Sequence, residues 1–213
     1  MSKWGRWAPL TGVVFAVLLF VGAMVGGNSP DSDASAQHVV TYFTAHRGSQ
    51  QAGMFLIVYS VVFGLFFGAA LRSYLRDRLG GDGLSMLGFA GMIVLATSAG
   101  VISGLDFAAA DVPGKISPAA EQALNVLQND VFFGMLVGLG VFLLANGFAI
   151  ATNTVAIPRW LGWAAVLFGV VALTPLGWIS LIFALPIFSL VVGVLMFLRQ
   201  GATAPAAAAP AVG

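Results

Sequence analysis

Residues 131–152 read VFFGMLVGLGVFLLANGFAIAT, an apolar run without a single charged side chain. About 20 such residues in a helix cross the roughly 30 Å hydrocarbon core of a bilayer. A helix apolar on every face needs either a large protein around it or lipid. The rest of the chain decides between these. Five more stretches share the character, at residues 7–27, 52–72, 84–105, 158–174 and 177–198, and none has a charge in its middle. Of the 213 residues, 59% are hydrophobic and 8% charged. Soluble domains carry about 25% charged residues, and one of this size would have too little polar surface to face water. The expectation is an all-α, polytopic six-helix transmembrane bundle spanning residues 1–200, followed by a disordered Ala/Pro-rich tail, 201–213.

Basic residues orient the bundle. With the N-terminus inside, the inner face holds Lys3, Arg6, Arg72, Arg76, Arg78, Arg159 and Arg199, and the outer face only Arg47 and Lys115. This bias predicts that both termini lie in the cytoplasm. Trp4, Trp7, Trp160, Trp163 and Trp178 fall near span ends, as an interfacial aromatic belt requires. Lys3 and Arg6 before an apolar run resemble a signal peptide, but the run is long and the Ala34-Ser35-Ala36 site lies well past its end, so a retained span is expected. Arginine outnumbers lysine seven to two in an Ala-, Gly- and Val-rich chain, which fits a GC-rich bacterial gene and a plasma-membrane location. A net charge of +1 gives nucleic acid no footing. Arg72, Arg76 and Arg78 are placed to meet anionic lipid headgroups, and a membrane-protein partner is a further expectation.

Two outer connections open with Ser-Pro, at Ser29-Pro30 and Ser117-Pro118. Serine at the N-cap with proline at the first helical position marks a helix start. Ala36, Val39, Val40 and Phe43 follow one helical stripe, and Ala120, Ala123, Leu124 and Leu127 another. Two short amphipathic helices are therefore expected on the outer face. The first would break at Gly48-Ser49, and the second would run into the fourth span.

Helices in lipid associate through close contact and hydrogen bonds rather than apolar burial. Glycine pairs at four-residue spacing, Gly22/Gly26, Gly64/Gly68, Gly100/Gly104 and Gly134/Gly138, predict tight packing within the monomer. Pro186 should bend the last span. Asn146, the most polar side chain within a span, should bond across to Thr97 or Ser98.

The notable polar cluster sits at the outer boundary: His46, Arg47, Gln50 and Gln51, then Asp106 and Asp111, then Asn129 and Asp130. Arg47 is expected to pair with Asp106 or Asp130, as a structural clamp or as part of an outward-opening pocket. No cofactor is expected. His38 and His46 are the only histidines and neither lies in a span, which excludes a bundle haem held by paired histidines, and no zinc-type spacing exists. With no cysteine, thiolate sites are excluded too.

Four segments carry a resemblance: Arg6-Trp7-Ala8-Pro9-Leu10, residues 30–47 with Ala45-His46-Arg47-Gly48, residues 125–133, and Pro158-Arg159-Trp160-Leu161-Gly162-Trp163. The chain resembles, over nearly its whole length, a family of uncharacterised six-span bacterial integral membrane proteins. The resemblance implies a fold and a location and no catalytic residue. Three functions stay open: a non-enzymatic binding, sensory or accessory membrane component; a small secondary transporter centred on Asn146 and Pro186; and a lipid-modifying enzyme using Asp106, Asp130 and His46.

Overall fold

The computed structural model describes residues 3–200 of the chain. The 201–213 tail lies outside the described residues. A short helix, Lys3–Trp7, and a tight turn, Ala8–Leu10, lead into α1 (Thr11–Gly26). There follow α2 (Ala36–Leu79), α3 (Gly83–Asp111), α4 (Pro118–Thr152) and α5 (Arg159–Ala172). A helical turn, Gly177–Ile179, and a widened turn, Ser180–Ala184, then enter α6 (Leu185–Gln200). No strand occurs among the described residues. Five helical segments are long and apolar enough to cross a membrane: Gly5–Gly26, α2, α3, α4 and Gly177–Arg199. The sixth, α5, is apolar but has only 14 residues. At 1.5 Å per residue it is about 21 Å long.

Each helix from α1 to α5 packs chiefly on its sequence neighbour, and α6 returns to α1. The core includes Phe67, Leu71, Met92, Leu139, Phe142 and Phe188, all nearly fully buried. Phe142 meets Phe67 and Phe188 edge-on. Exposed Trp7, Trp160, Trp163 and Trp178 stand near helix ends.

Backbones touch where glycines allow. A Cβ on Gly53 would lie 2.6 Å from the Gly26 Cα, so α1 and α2 cross in direct backbone contact. A Cβ on Gly138 would collide with the Leu95 amide nitrogen, and one on Gly91 would lie 2.5 Å from that of Phe142, which fixes α3 against α4. Gly100 and Gly104 differ from the expected packing pair, since nothing lies within 4 Å of a Cβ on either. Their spacing matches the others, but they sit on the outward side of α3.

Two helix ends depart from expectation. Ser29-Pro30 starts no helix; α2 begins at Ala36, capped by the Ser35 hydroxyl, which accepts from the His38 amide at 3.3 Å. The helix then runs unbroken through Gly48-Ser49 for 44 residues. An interior glycine costs a helix only about 1 kcal/mol, too little to outweigh the packed turns on either side. The first expected surface helix is therefore the first third of α2. The second expected start holds: Ser117 caps α4 by accepting from the Ala120 amide at 3.3 Å, with Pro118 at the first position. This surface segment is continuous with the fourth span, as expected.

Pro186 is accommodated by a widened turn. The Leu185 amide bonds the Ser180 carbonyl, five residues back. Such a turn is a known response to irregularity in a helix. The Ser180 hydroxyl in turn donates to the Phe168 carbonyl at 2.8 Å, tying the turn to α5. Asn146 makes no bond to Thr97 or Ser98. Its amide donates to the Phe142 carbonyl one turn back, at 2.8 Å, and its side chain fills the space a Cβ on Gly88 would need. It seals the α3–α4 contact locally.

At the end of the bundle rich in arginine, Arg72 pairs with Asp82, which also accepts from the Ser85 hydroxyl at 2.7 Å. These hydrogen bonds, that from Arg72 foremost, hold the Asp82 carboxyl down at about 2. Arg76 pairs with its neighbour Asp77, and the Arg78 guanidinium lies over the Tyr74 ring at 3.7 Å.

Candidate functional site: a cleft between the first and last spans

The register of the short helices creates a gap. Beside α4, a Cβ on Gly162 would press on Gly147 and Ala151, and one on Gly169 on Leu144. Thus α5 runs antiparallel to α4. The chain turns back after Ala172, where a Cβ on Gly177 would lie 2.8 Å from the Leu136 side chain. The last helical segment therefore starts level with Leu136. From there α4 continues toward its own N-terminus for about 27 Å more at the helical rise, flanked only by α2, α3 and the loop before α2. We call this extension the cap.

Against α1, the last helix makes backbone contact at the arginine end. A Cβ on Gly193 would lie 2.6 Å from the Pro9 carbonyl, and one on Gly12 2.7 Å from that of Ser189. Toward the cap the two helices enclose a cavity of about 650 Å³ instead. Leu19, Phe20, Ile182 and Phe132 contribute apolar wall, and Trp178 and Pro186 line the side of the last helix. Typical ligand cavities occupy about 300–1,000 Å³ with mostly apolar walls and a few convergent polar groups.

The polar end of the cavity is made by Ser29, Ser103, Asp106, Gln128 and Asn129. Asp106 is only 4% exposed. It accepts a hydrogen bond from the Ser29 hydroxyl at 3.3 Å and one from Gln128. Asn129 and Asn125 hold the loop that brings Ser29 here. The Asn125 amide donates to the Pro30 and Asp31 carbonyls at 3.1 and 3.2 Å, and that of Asn129 to Pro30 at 3.2 Å. Gln122 adds a bond to the Ala34 carbonyl at 2.8 Å. The loop's proline and short turns leave its carbonyls without helical partners, and the side-chain amides of α4 supply them.

The expected cluster is divided among three places. Asp106 and Asn129 line the cavity. Gln50 is buried behind it, donating to the Tyr42 hydroxyl at 2.8 Å. His46 is exposed, stacked on Tyr42 with 4.4 Å between ring centres, and shares a 2.9 Å hydrogen bond with the Tyr42 carbonyl. Arg47 pairs with neither Asp106 nor Asp130. It meets Asp111 on the surface, where Lys115 joins the same carboxylate at 3.0 Å. Asp130 is exposed. The reason is angular: Asp106 and Asp111 are five residues apart on α3, so one faces inward and the other sideways. The carboxylates a lipid-modifying enzyme would need do not converge, and Asn146 does not line the cavity.

Sequence reasoning passed over Ser29, Ser103, Asn125 and Gln128. It read Ser29 as a helix cap and took the Ala120, Ala123, Leu124, Leu127 stripe as the buried face of its helix. The structure inverts that face. Ala120, Ala123 and Leu127 are exposed, while Glu121, Asn125 and Gln128 are buried. The signal lay in this second stripe, polar at spacings of four and three, from which Asn125 bonds the loop and Gln128 meets Asp106.

Among the described residues no group of three or more histidine or acidic side chains is placed to hold a metal ion. Fold and cavity define a helical protein with membrane-length apolar segments and a polar-ended cleft. Comparison with known protein families, with curated proteins and with solved structures finds no match.

Proposed function

We propose that this chain is a six-span integral protein of the bacterial plasma membrane, with both termini cytoplasmic. In this reading it is a non-enzymatic binding component whose cleft takes a small amphiphilic ligand from the outer leaflet. The single observation that carries this reading is the cleft itself: closed by backbone contact at one end, apolar-walled, and polar at the other around a buried carboxylate. Support for six crossings comes from α5, which runs back along α4 from the level of Ala151 past that of Leu144 with exposed Trp160 and Trp163 at its start. Support for the orientation comes from the basic residues, with Arg76 and Arg78 near anionic headgroups and the cap outside.

Ala23 lines the cleft on α1, and Ala23→Trp would fill its mouth. Native mass spectrometry of wild type released from lipid should find a retained amphiphile, and Ala23→Trp should lose most of it. Equal occupancy in both proteins, or none in wild type, sinks the reading. A transporter is the second reading, favoured by Pro186 and the widened turn beside the cavity, where the last helix has a place to bend. Net delivery of the amphiphile into the lumen of proteoliposomes would move the conclusion there.

A further inference from the structure

The polar end of the cleft offers two carboxylates, Asp106 and Asp31, and no cation; its free donors are neutral, the Ser103 hydroxyl and the Asn28 side-chain amide. The Ser29 hydroxyl proton is used on Asp106, and the Asn129 amide protons on the carbonyls of Pro30 and Asn125, the latter at 3.0 Å. Gln128 gives its interaction to Asp106. Left over are the Gln128 Oε1, an acceptor, and the Ser103 hydroxyl, which can donate or accept, both buried without a partner, together with the remaining acceptor capacity of the Asp106 carboxylate. A carboxylate has about four lone-pair sites, so two bonds leave it half used. Asp31 adds a second carboxylate at the rim. No lysine or arginine lines the cleft. The basic side chains at the cap, Arg47 and Lys115, are both engaged with Asp111 on the surface.

A buried acceptor without a donor costs about 1–3 kcal/mol, and a buried carboxylate calls for a positive partner. A phosphate or carboxylate head placed here could take the neutral Ser103 and Asn28 donors but would face the Asp106 and Asp31 carboxylates with no cation to offset them. A hydroxyl head would supply one proton. An ammonium supplies three donors, a positive charge and no acceptor, and its hydrogen bonds to a carboxylate are of the strong, charge-assisted kind. We infer that the ligand of this cleft is a single-chain lipophilic amine, its primary ammonium set among Asp106, Ser103 and Gln128 and its chain directed down the wall toward Trp178. This rests on the binding reading above and adds the chemistry of the head.

The probes are ω-brominated dodecylamine, dodecanol and dodecyl phosphate, added at neutral pH to the full chain in phosphatidylcholine nanodiscs. Bromine at the chain end quenches a nearby tryptophan, and the signal that counts is the part lost in Trp178→Phe. The amine should quench Trp178 at a concentration at least about tenfold below the alcohol or the phosphate, since one charged pairing is worth about that factor. Asp106→Asn should erase the advantage of the amine over the alcohol. Ser103→Ala, a milder change, should reduce it several-fold. Equal quenching by all three heads, or preference for the phosphate, overturns the ammonium and leaves the cleft as a binding site. A brominated phosphatidylethanolamine that matches the amine overturns the single-chain assignment in favour of a lipid. Absence of Trp178-dependent quenching by any probe removes the binding reading and this inference together.

Discussion

The two ends of the bundle are built on opposite rules. At the arginine end the helices meet backbone to backbone, with Gly12 against Ser189 and Gly193 against Pro9, and no space remains between α1 and α6. At the cap end the same two helices part, and beside a small apolar cluster of Val39, Phe43, Ala109 and Ala110 the interior holds buried polar side chains, Asp106, Glu121, Asn125 and Gln128. Dispersion between close backbones holds the first region, and directional hydrogen bonds to a loop hold the second. Close packing leaves nothing for a ligand to displace. A hydrogen-bonded lining with unspent polar groups does, so the proposed binding falls at the cap end.

The sharpest way to break this comparison is to add volume where backbones touch. Gly138→Val pushes a branched side chain into the Leu95 amide, and overpacking of this kind costs about 1–3 kcal/mol or more. A large drop in unfolding free energy by detergent titration is expected. The control is Gly100→Val, which enters open space and should stay within about 0.5 kcal/mol of wild type. If the two variants unfold alike, backbone contact is not what holds the spans.

A smaller effect is expected from Asn125→Leu. The change frees the carbonyls of Pro30 and Asp31 from their amide partner. Lost buried bonds of this kind cost about 1–3 kcal/mol. The change should show as faster hydrogen exchange confined to the loop before α2 and the cap, with protection of α5 and α6 unchanged. Spread of the effect to α5 and α6 would mean that cap and membrane core are one cooperative unit, against the division drawn above.

The smallest effect belongs to Arg47→Ala. As a clamp on Asp106 or Asp130 it would have been costly to remove. As an exposed partner of Asp111, half accessible itself, it should contribute about 0–1 kcal/mol. Thermal melts of the variant in detergent are expected to overlie wild type closely. A drop of several degrees would restore a buried role for Arg47.

Much of the fold was legible because the signals were local. Charge-free length marks each apolar segment, and Ser117-Pro118 marks the start of α4 by hydrogen bonding within its own first turn. The break expected at Gly48 failed because a glycine is a weak local cost against packing on both sides. The site was only half legible. Asp106 and Asn129 stand out as polar residues at a boundary, but Ser29 looks like a cap until the loop beyond it is placed beside α3.

The sequence by itself determined that this chain consists of long apolar helices, roughly where each begins, and that its charges gather at the ends. Those properties follow from each segment's own composition and from the cost of placing charge in hydrocarbon. Only the tertiary structure decided which way the faces turn. Asn125 points inward, where its amide supplies donors to the carbonyls of a loop some 95 residues earlier in the chain, and Gln128 on the same face meets Asp106. The cleft exists because α5 is short and the helical segment that leads into α6, beginning at Gly177, starts level with Leu136. Both depend on the relative heights and rotations of separate helices, which no single segment encodes.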